Sequence, residues 1–197
     1  MAEAKDLTRE RIMVAARKRF SRYGYAKTTM AEVAVECGMS PGNLYRFFPG
    51  KLDIAEAIAR EDERVRLAVL EHIAMAPGAS ARQRLFDFFF SELRSTFKTF
   101  EEDPEGVEIA RILAHGRPHV QEERIVAERR LIAHILADGN TSGEFSVPDC
   151  NFTAQIVHSA TLKFRFSQRW TRAPLETLER ELGGVLNLII DGLAPRT

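Results

Sequence analysis

Residues 28–52 read TTMAEVAVECGMSPGNLYRFFPGKL, and this stretch has the residues that two short helices need to cross steeply with only a few residues between them. A helix begins at Thr29 and turns Met30, Val33, Ala34 and Cys37 inward, and Gly38 stops it. Ala34 is small where the helices approach, and Gly38 can adopt the positive φ of the turn. Met39 and Leu44 bury the corner. Ser40 caps the next, very short helix, and Pro41 takes its first position, where a missing N–H costs nothing. Leu44, Phe47 and Phe48 supply that helix's apolar side. The pattern is a helix-turn-helix. An ordinary αα-corner of a helical bundle needs the same glycine and cap, so the turn residues alone leave both readings open.

Outward from this corner the pattern stays helical, with apolar residues recurring three and four apart. A first helix is predicted from Thr8, a good N-cap, to about Tyr23, with Ile12, Ala16 and Phe20 stacked and Gly24 ending it. A fourth runs from Lys51 to about Ala76, and a fifth from Ser80, with Gln83 at capping-box spacing, to about Phe100. Asp103-Pro104 starts a sixth that ends at Gly116. The seventh spans Pro118 to Asp138, and a loop follows over 139–148. Asp149 caps an eighth that reaches Trp170, and the last covers Leu175 to Leu193. The expected fold is all-α, about nine helices, with an N-terminal three-helix domain over 1–50 and a helical body over 51–197.

The chain has 197 residues, 45% of them apolar and 28% charged, which fits a soluble globular protein with a substantial core. Residues 1–50 hold nine Lys and Arg against five Asp and Glu. The chain's 28 of each sign leave 19 bases and 23 acids for the remainder, so a net charge of zero conceals a basic head and an acidic body. Cys37 and Cys150 are far apart and suggest neither a disulfide framework nor a metal site. The N-terminus lacks the apolar run of a signal peptide, and no stretch approaches the ~18 apolar residues of a membrane span, so a cytoplasmic protein is expected. Gly42…Gly50-Lys51 has the wrong spacing for a P-loop, and no hydrolase, zinc-protease or dinucleotide fingerprint occurs, so no enzymatic activity and no cofactor are expected.

Several residues of the corner exceed what a buried turn requires. Asn43 lies in the first turn of the short helix, the end that meets base edges in helix-turn-helix docking. Tyr45, Arg46 and Lys51 are polar or basic, and Lys51 heads a helix whose macrodipole opposes its charge, so a phosphate partner would explain it. Thr29 and its helix N-terminus suit a second phosphate. Residues 8–55, with FSRYGYAKTT ahead of MAEVAVECGMSPGNLYRFFPGKLDI, resemble the DNA-binding domain of the tetracycline-repressor (TetR) family; the later helices match that family in size and layout only. The resemblance implies a homodimeric transcriptional regulator, usually a repressor, released from a palindromic operator on double-stranded DNA by a small, largely apolar effector. It also implies that Thr29, Ser40, Tyr45 and Lys51 contact phosphates and that Pro41, Gly42 and Asn43 lie near bases, with Arg46 an additional contact. Phe47 stands where the family often has His. A helical adaptor whose basic head binds an acidic protein is the competing class.

The body offers further candidates. Phe86, Phe88, Phe89, Phe90, Phe97 and Phe100 crowd one helix; they read mostly as core, with Phe86, Phe89, Phe90 and Phe97 candidates for lining an effector cavity together with Phe164, Arg111 and His115. Phe166 and Trp170 pose the same question of cavity, core or seam. Arg111 and Arg165 sit among apolar neighbours and suit either an acidic ligand or an ion pair with Glu. His115 and His119 are four apart, but Gly116 and Pro118 intervene, which speaks against a metal pair. His134 and His158 read as hydrogen-bonded structural residues. Leu178, Leu182, Val185, Leu186 and Ile189 form a wide apolar stripe on the last helix. With Phe152 and Ile156 of the eighth helix they are the expected dimer surface, in an isologous four-helix arrangement, unless the stripe packs only within its own chain.

Overall fold

A computed structural model describes residues 2–165 and 173–195. Ten helices follow one another among them: α1 Ala2–Tyr23, α2 Met30–Glu36, α3 Pro41–Tyr45, α4 Lys51–Ala74, α5 Ala81–Glu102, α6 Pro104–Gly116, α7 Pro118–Ser142, α8 Cys150–Ala160, α9 Leu162–Arg165 and α10 Leu175–Leu193. The all-α expectation holds. Three boundaries differ from it. Helix α1 starts six residues before Thr8, because nothing in Lys5-Asp6-Leu7 breaks a helix that has already been nucleated. Helix α7 runs four residues into the expected loop, to Ser142, and Gly143, at φ 78°, ends it. The eighth helix stops at Ala160 and gives way to the short α9; Phe166 and Trp170 lie outside the described residues.

The chain divides into two compact units. The first comprises residues 1–64 and 103–122, so it reaches beyond residue 50 into α4 and adds α6. Its core joins Ile12, Ala16 and Phe20 of α1 to Val33 and Ala34 of α2, Leu44 of α3, Ile54, Ala55 and Ile58 of α4, and Ile109 and Leu113 of α6. The apolar positions foreseen on the first three helices are buried here, except Met39 and Phe47, which pack against this core only partly buried. Gly24 ends α1 at φ 88°, with its N–H donating to the Phe20 carbonyl at 2.8 Å.

The second unit comprises residues 65–102 and 123–197. Its core gathers Leu70, Leu85, Phe88, Phe89, Leu93, Leu131, Ile132, Ile135, Leu136, Val157, Phe164, Leu178, Leu182, Leu186 and Ile190. Helix α10 packs along α5, and α5 also meets α9. The start of α5 is held by two acceptors. Ser80 Oγ takes the Gln83 N–H at 3.0 Å, and the Glu144 carboxylate takes those of Ala81 and Arg82 at 3.0 and 3.2 Å. The Gln83 side chain bonds Asp87 instead of completing the foreseen capping box. Gly139 lies so close to Phe145 and Ala81 that a Cβ there would collide with both. Helices α4 and α7 are each continuous across the boundary between the units.

Candidate nucleic-acid interface

Local chemistry sets the corner. Thr29 caps α2 through a reciprocal capping box: Glu32 N–H donates to Thr29 Oγ1 at 3.3 Å, while the Glu32 carboxylate accepts from the Thr29 N–H and hydroxyl at 2.8 and 2.9 Å. These bonds hold the exposed Glu32 carboxyl below the usual carboxylate range. Gly38 turns the chain at φ 65°, and the Met39 N–H returns to the Ala34 carbonyl at 3.0 Å. Ser40 caps α3 by accepting the Asn43 N–H at 3.3 Å, with Pro41 at the first position.

Helix α3 is fastened by one side chain. Leu44 is fully buried, whereas Pro41, Gly42, Asn43, Tyr45 and Arg46 all face solvent, Tyr45 with 52% of its surface exposed. A five-residue helix with a single apolar anchor and five exposed neighbours presents its polar side outward. An αα-corner closed inside a bundle would bury more of it. A Cβ at Gly42 would meet nothing within 4 Å, so the backbone there is open to close approach.

Lys51 departs from the sequence-based expectation. Its Nζ donates to the carbonyls of Tyr25 and Thr28 at 2.6 and 2.8 Å, approaches that of Ala26 at 3.4 Å, and lies 4.3 Å from the centre of the Tyr25 ring. All three ammonium protons are therefore directed at the turn between α1 and α2, and burial pushes the amine below its ordinary pKa while Glu32 opposes that shift. The oriented carbonyls answer the conflict between this cation and the α4 macrodipole that a phosphate was expected to answer. The Glu105 carboxylate of α6 accepts the Tyr25 N–H at 3.2 Å on the same turn. Lys51 thus holds the segment leading into Thr29 instead of standing free for a phosphate.

Much of the head's positive charge is spent internally. Arg9 donates to the Phe47 carbonyl and covers the Phe48 ring, Arg11 reaches the Cys37 carbonyl, Arg17 pairs with Asp62, Lys18 with Glu36, and Arg19 with Glu32 and Glu36. Lys27 and Arg46 are exposed and have no acceptor among the described residues. Sequence reasoning missed Lys27, although its place two residues ahead of the Thr29 cap was a usable signal.

The remaining candidates separate. Arg111 and His115 are exposed on α6 in the first unit, with His115 Nδ1 2.9 Å from the Arg111 carbonyl, so they do not join the phenylalanines of the second. His119 meets Glu56 at 3.3 Å instead of His115. Phe89 and Phe164 are buried in the body's core, and Phe97 packs half-buried against it. Phe86 and Phe90 stack at 6.1 Å beside a shallow open groove with Arg82 and Arg94, so the five rings do not line one space. Leu178, Leu182 and Leu186 are wholly buried against their own chain and have no surface to give a partner; Val185 and Ile189 are half-buried. Phe152 and Ile156 are exposed, as are Leu162 and Leu188, the last at 79%.

Residues 12–58 match the family described as bacterial regulatory proteins of the tetR family, and residues 81–186, over half the chain, match a tetracyclin repressor-like C-terminal domain. The HTH-type transcriptional regulator UidR of Escherichia coli K12 is 39% identical over 61 residues, 31% of this chain and 31% of that protein, so the similarity spans under a third of its length. The uncharacterized HTH-type regulator YhgD of Bacillus subtilis 168 is 26% identical over 93% of this chain and 95% of its own. Among solved structures, a putative TetR-family regulator from Mesorhizobium loti superposes with a TM-score of 0.73 at 16% identity over 97% of this chain and 98% of its own. A SmeT–triclosan complex gives 0.67 at 20% identity over 96% and 92%. These structures share the fold. The chain belongs to the TetR family of bacterial regulatory proteins.

Proposed function

We propose that this protein is a ligand-responsive, DNA-binding transcriptional regulator, a cytoplasmic repressor that a small molecule releases from a palindromic operator. The observation that carries the reading is the outward face of α3, where Asn43, Tyr45 and Arg46 stand in solvent around the buried Leu44. Residues 1–50, within the first unit, supply the DNA-binding part, and of the remainder the second unit, 65–102 and 123–197, supplies the effector-binding and dimerising part. Asn43 reads a base edge, while Pro41 and Gly42 permit close approach of the backbone. Thr29, Ser40, Tyr45, Arg46 and Lys27 meet phosphates. Lys51 serves from behind by fixing the turn that leads into α2.

The dimer forms through the exposed apolar residues of α8 and α10, Phe152, Ile156 and Leu188, in a two-fold arrangement that places two copies of α3 in successive major grooves, ~34–36 Å apart or somewhat more. Helices α4 and α7 are unbroken from the effector-binding unit into the head, so a ligand that binds two placements of these helices unequally shifts DNA affinity. The likeness to structures such as the SmeT–triclosan complex supports a small-molecule effector. The test is a gel shift of the full chain on duplex DNA from upstream of its own gene against a scrambled duplex of equal length: a preference for the former supports the reading, and equal or absent binding overturns it.

A further inference from the structure

Inside the second unit, six charged or titratable side chains from five helices meet in the apolar core: Arg66 of α4, Glu92 of α5, Arg124 and Glu128 of α7, His158 of α8 and Arg165 of α9. Glu128 is fully buried, and the nitrogens converging on its two oxygens exceed what one carboxylate accommodates. Oε1 receives Arg66 Nη2 at 2.6 Å, Arg124 Nε at 3.0 Å and Arg165 Nη2, while Oε2 faces His158 Nε2 at 3.0 Å and Arg165 Nη1. A carboxylate offers about four lone-pair sites. Glu92 takes a further share, from Arg66 and, at 3.0 Å, from Arg165.

Arg165 is the member with capacity left over. It is only 3% exposed, yet its Nε has no acceptor among the described residues, and Glu92 Oε2 meets Arg165 Nη2 as an ion pair at 3.0 Å without the alignment of a hydrogen bond. Arg19, Arg84 and Arg129 also leave Nε without an acceptor, but Arg165 alone does so within this cluster of buried charges. The surroundings are apolar: Phe89, Leu93, Ile132, Val157 and Phe164 belong to the core that encloses the cluster. A rigid guanidinium fork in an apolar setting matches a planar carboxylate bidentately and holds it more firmly than any neutral group.

We propose that Arg165 is the anchor for the acid group of the effector, and that the effector is therefore an organic carboxylate with an apolar body. Its carboxylate takes over guanidinium donors that Glu128 and Glu92 now share, and its body replaces core contacts beside Phe89 and Phe164. The proposal rests on the reading of the second unit as effector-binding and specifies the ligand's chemistry. Because Arg66 and Arg124 belong to α4 and α7, the helices that continue into the head, redistribution of these pairs is the event that DNA affinity would register.

The test uses the full chain with acetate, hexanoate, decanoate, benzoate and phenylacetate, each beside the alcohol of the same skeleton. Thermal unfolding and anisotropy on the upstream duplex are read for wild type, Arg165→Met and Arg165→Lys. At a hundredfold excess over its Kd, a bound carboxylate should raise Tm by roughly 5–10 °C and weaken DNA binding, while its alcohol does neither. Arg165→Lys keeps the charge and loses the fork, so carboxylate affinity should fall tenfold or more; Arg165→Met, if it folds, should abolish the shift. Equal shifts from acid and alcohol, full protection of Arg165→Lys, or no response of wild type to any carboxylate overturns the proposal. Arg165-dependent protection in a protein that ignores its upstream duplex would leave this site standing and sink the regulatory reading instead.

Discussion

Replacing Lys51 by Met should lower the stability of the protein and weaken its binding to every duplex alike, without making that binding less sensitive to salt. The substitution keeps the aliphatic stem and deletes three N–H donors. Two of them make short bonds to carbonyls, at 2.6 and 2.8 Å, together about 3–6 kcal/mol at the usual contribution of a hydrogen bond involving a charged group. Against this stand the desolvation that lowers the amine's pKa and about 2 kcal/mol of side-chain entropy for an immobilised lysine. The net is about 1–3 kcal/mol, or a Tm loss of roughly 2–12 °C for a chain of this size. In anisotropy titrations between low and moderate salt, a lysine bound to one phosphate contributes about 0.9 to the slope of log K against log salt. A clamp contributes nothing to that slope. The expected result is a parallel line displaced to weaker affinity, with reduced Tm. A slope shallower by about 0.9 with wild-type Tm would show that Lys51 leaves the Tyr25–Thr28 turn for the duplex and would refute the clamp.

Four further outcomes are expected. Arg46→Ala should reduce the salt slope by about 0.9 on all sequences, whereas Asn43→Ala should relax preference at one operator position by ~1–3 kcal/mol; competition with single-base variants of the operator distinguishes the two. Leu182→Arg puts an unpaired charge into the core against α5 and should prevent folding, but Leu188→Arg should fold and sediment as a monomer, and an unchanged dimer would move the interface elsewhere. Glu128→Gln should cost ~3–5 kcal/mol, the usual penalty for breaking a buried pair, seen as a lowered Tm. Burial resists ionisation of Glu128, but His158 and Arg165, with the charge of Arg124, outweigh it and hold the carboxyl far below its ordinary range. The unfolded chain, with a Glu near pKa 4.3, therefore takes up a proton before the folded one does. The stabilisation is complete above that value and fades as acid is added, so denaturation monitored between pH 6 and 3 should show a steeper loss in wild type than in Glu128→Gln.

Most readings that came from the chain's own neighbourhood hold in three dimensions, because turns and caps are settled by residues a few positions apart; the Thr8 cap and the Gln83 half of a capping box are the local exceptions. Gly24 and Gly38 take positive φ, and Thr29, Ser40, Asp103 and Asp149 accept N–H groups at the starts of their helices. The dimer, phosphate and ligand readings turn on partners distant in sequence. Periodicity showed that Leu178, Leu182 and Leu186 share a face, but a stripe does not say whether its own α5 or a second molecule covers it. Lys51 was correctly seen as a cation at odds with its helix dipole; the carbonyls that satisfy it lie 23 to 26 residues earlier and left no local mark. Arg165 and His158 stood out singly, while Glu128, the residue that joins them, sits in the charged run Glu128-Arg129-Arg130 and was not singled out. Arg111 and His115 fell among apolar residues in sequence, yet α6 turns both to solvent.

The central claim is that the exposed side of α3 engages a DNA duplex. Its most direct measurement is an anisotropy titration of wild type and a Tyr45→Ala, Arg46→Ala double variant on the upstream and scrambled duplexes across a salt series. Wild type should bind the upstream duplex more tightly, with a steep inverse dependence on salt, and both should be lost in a variant that keeps its circular dichroism and Tm. Undiminished binding by that variant would contradict the claim.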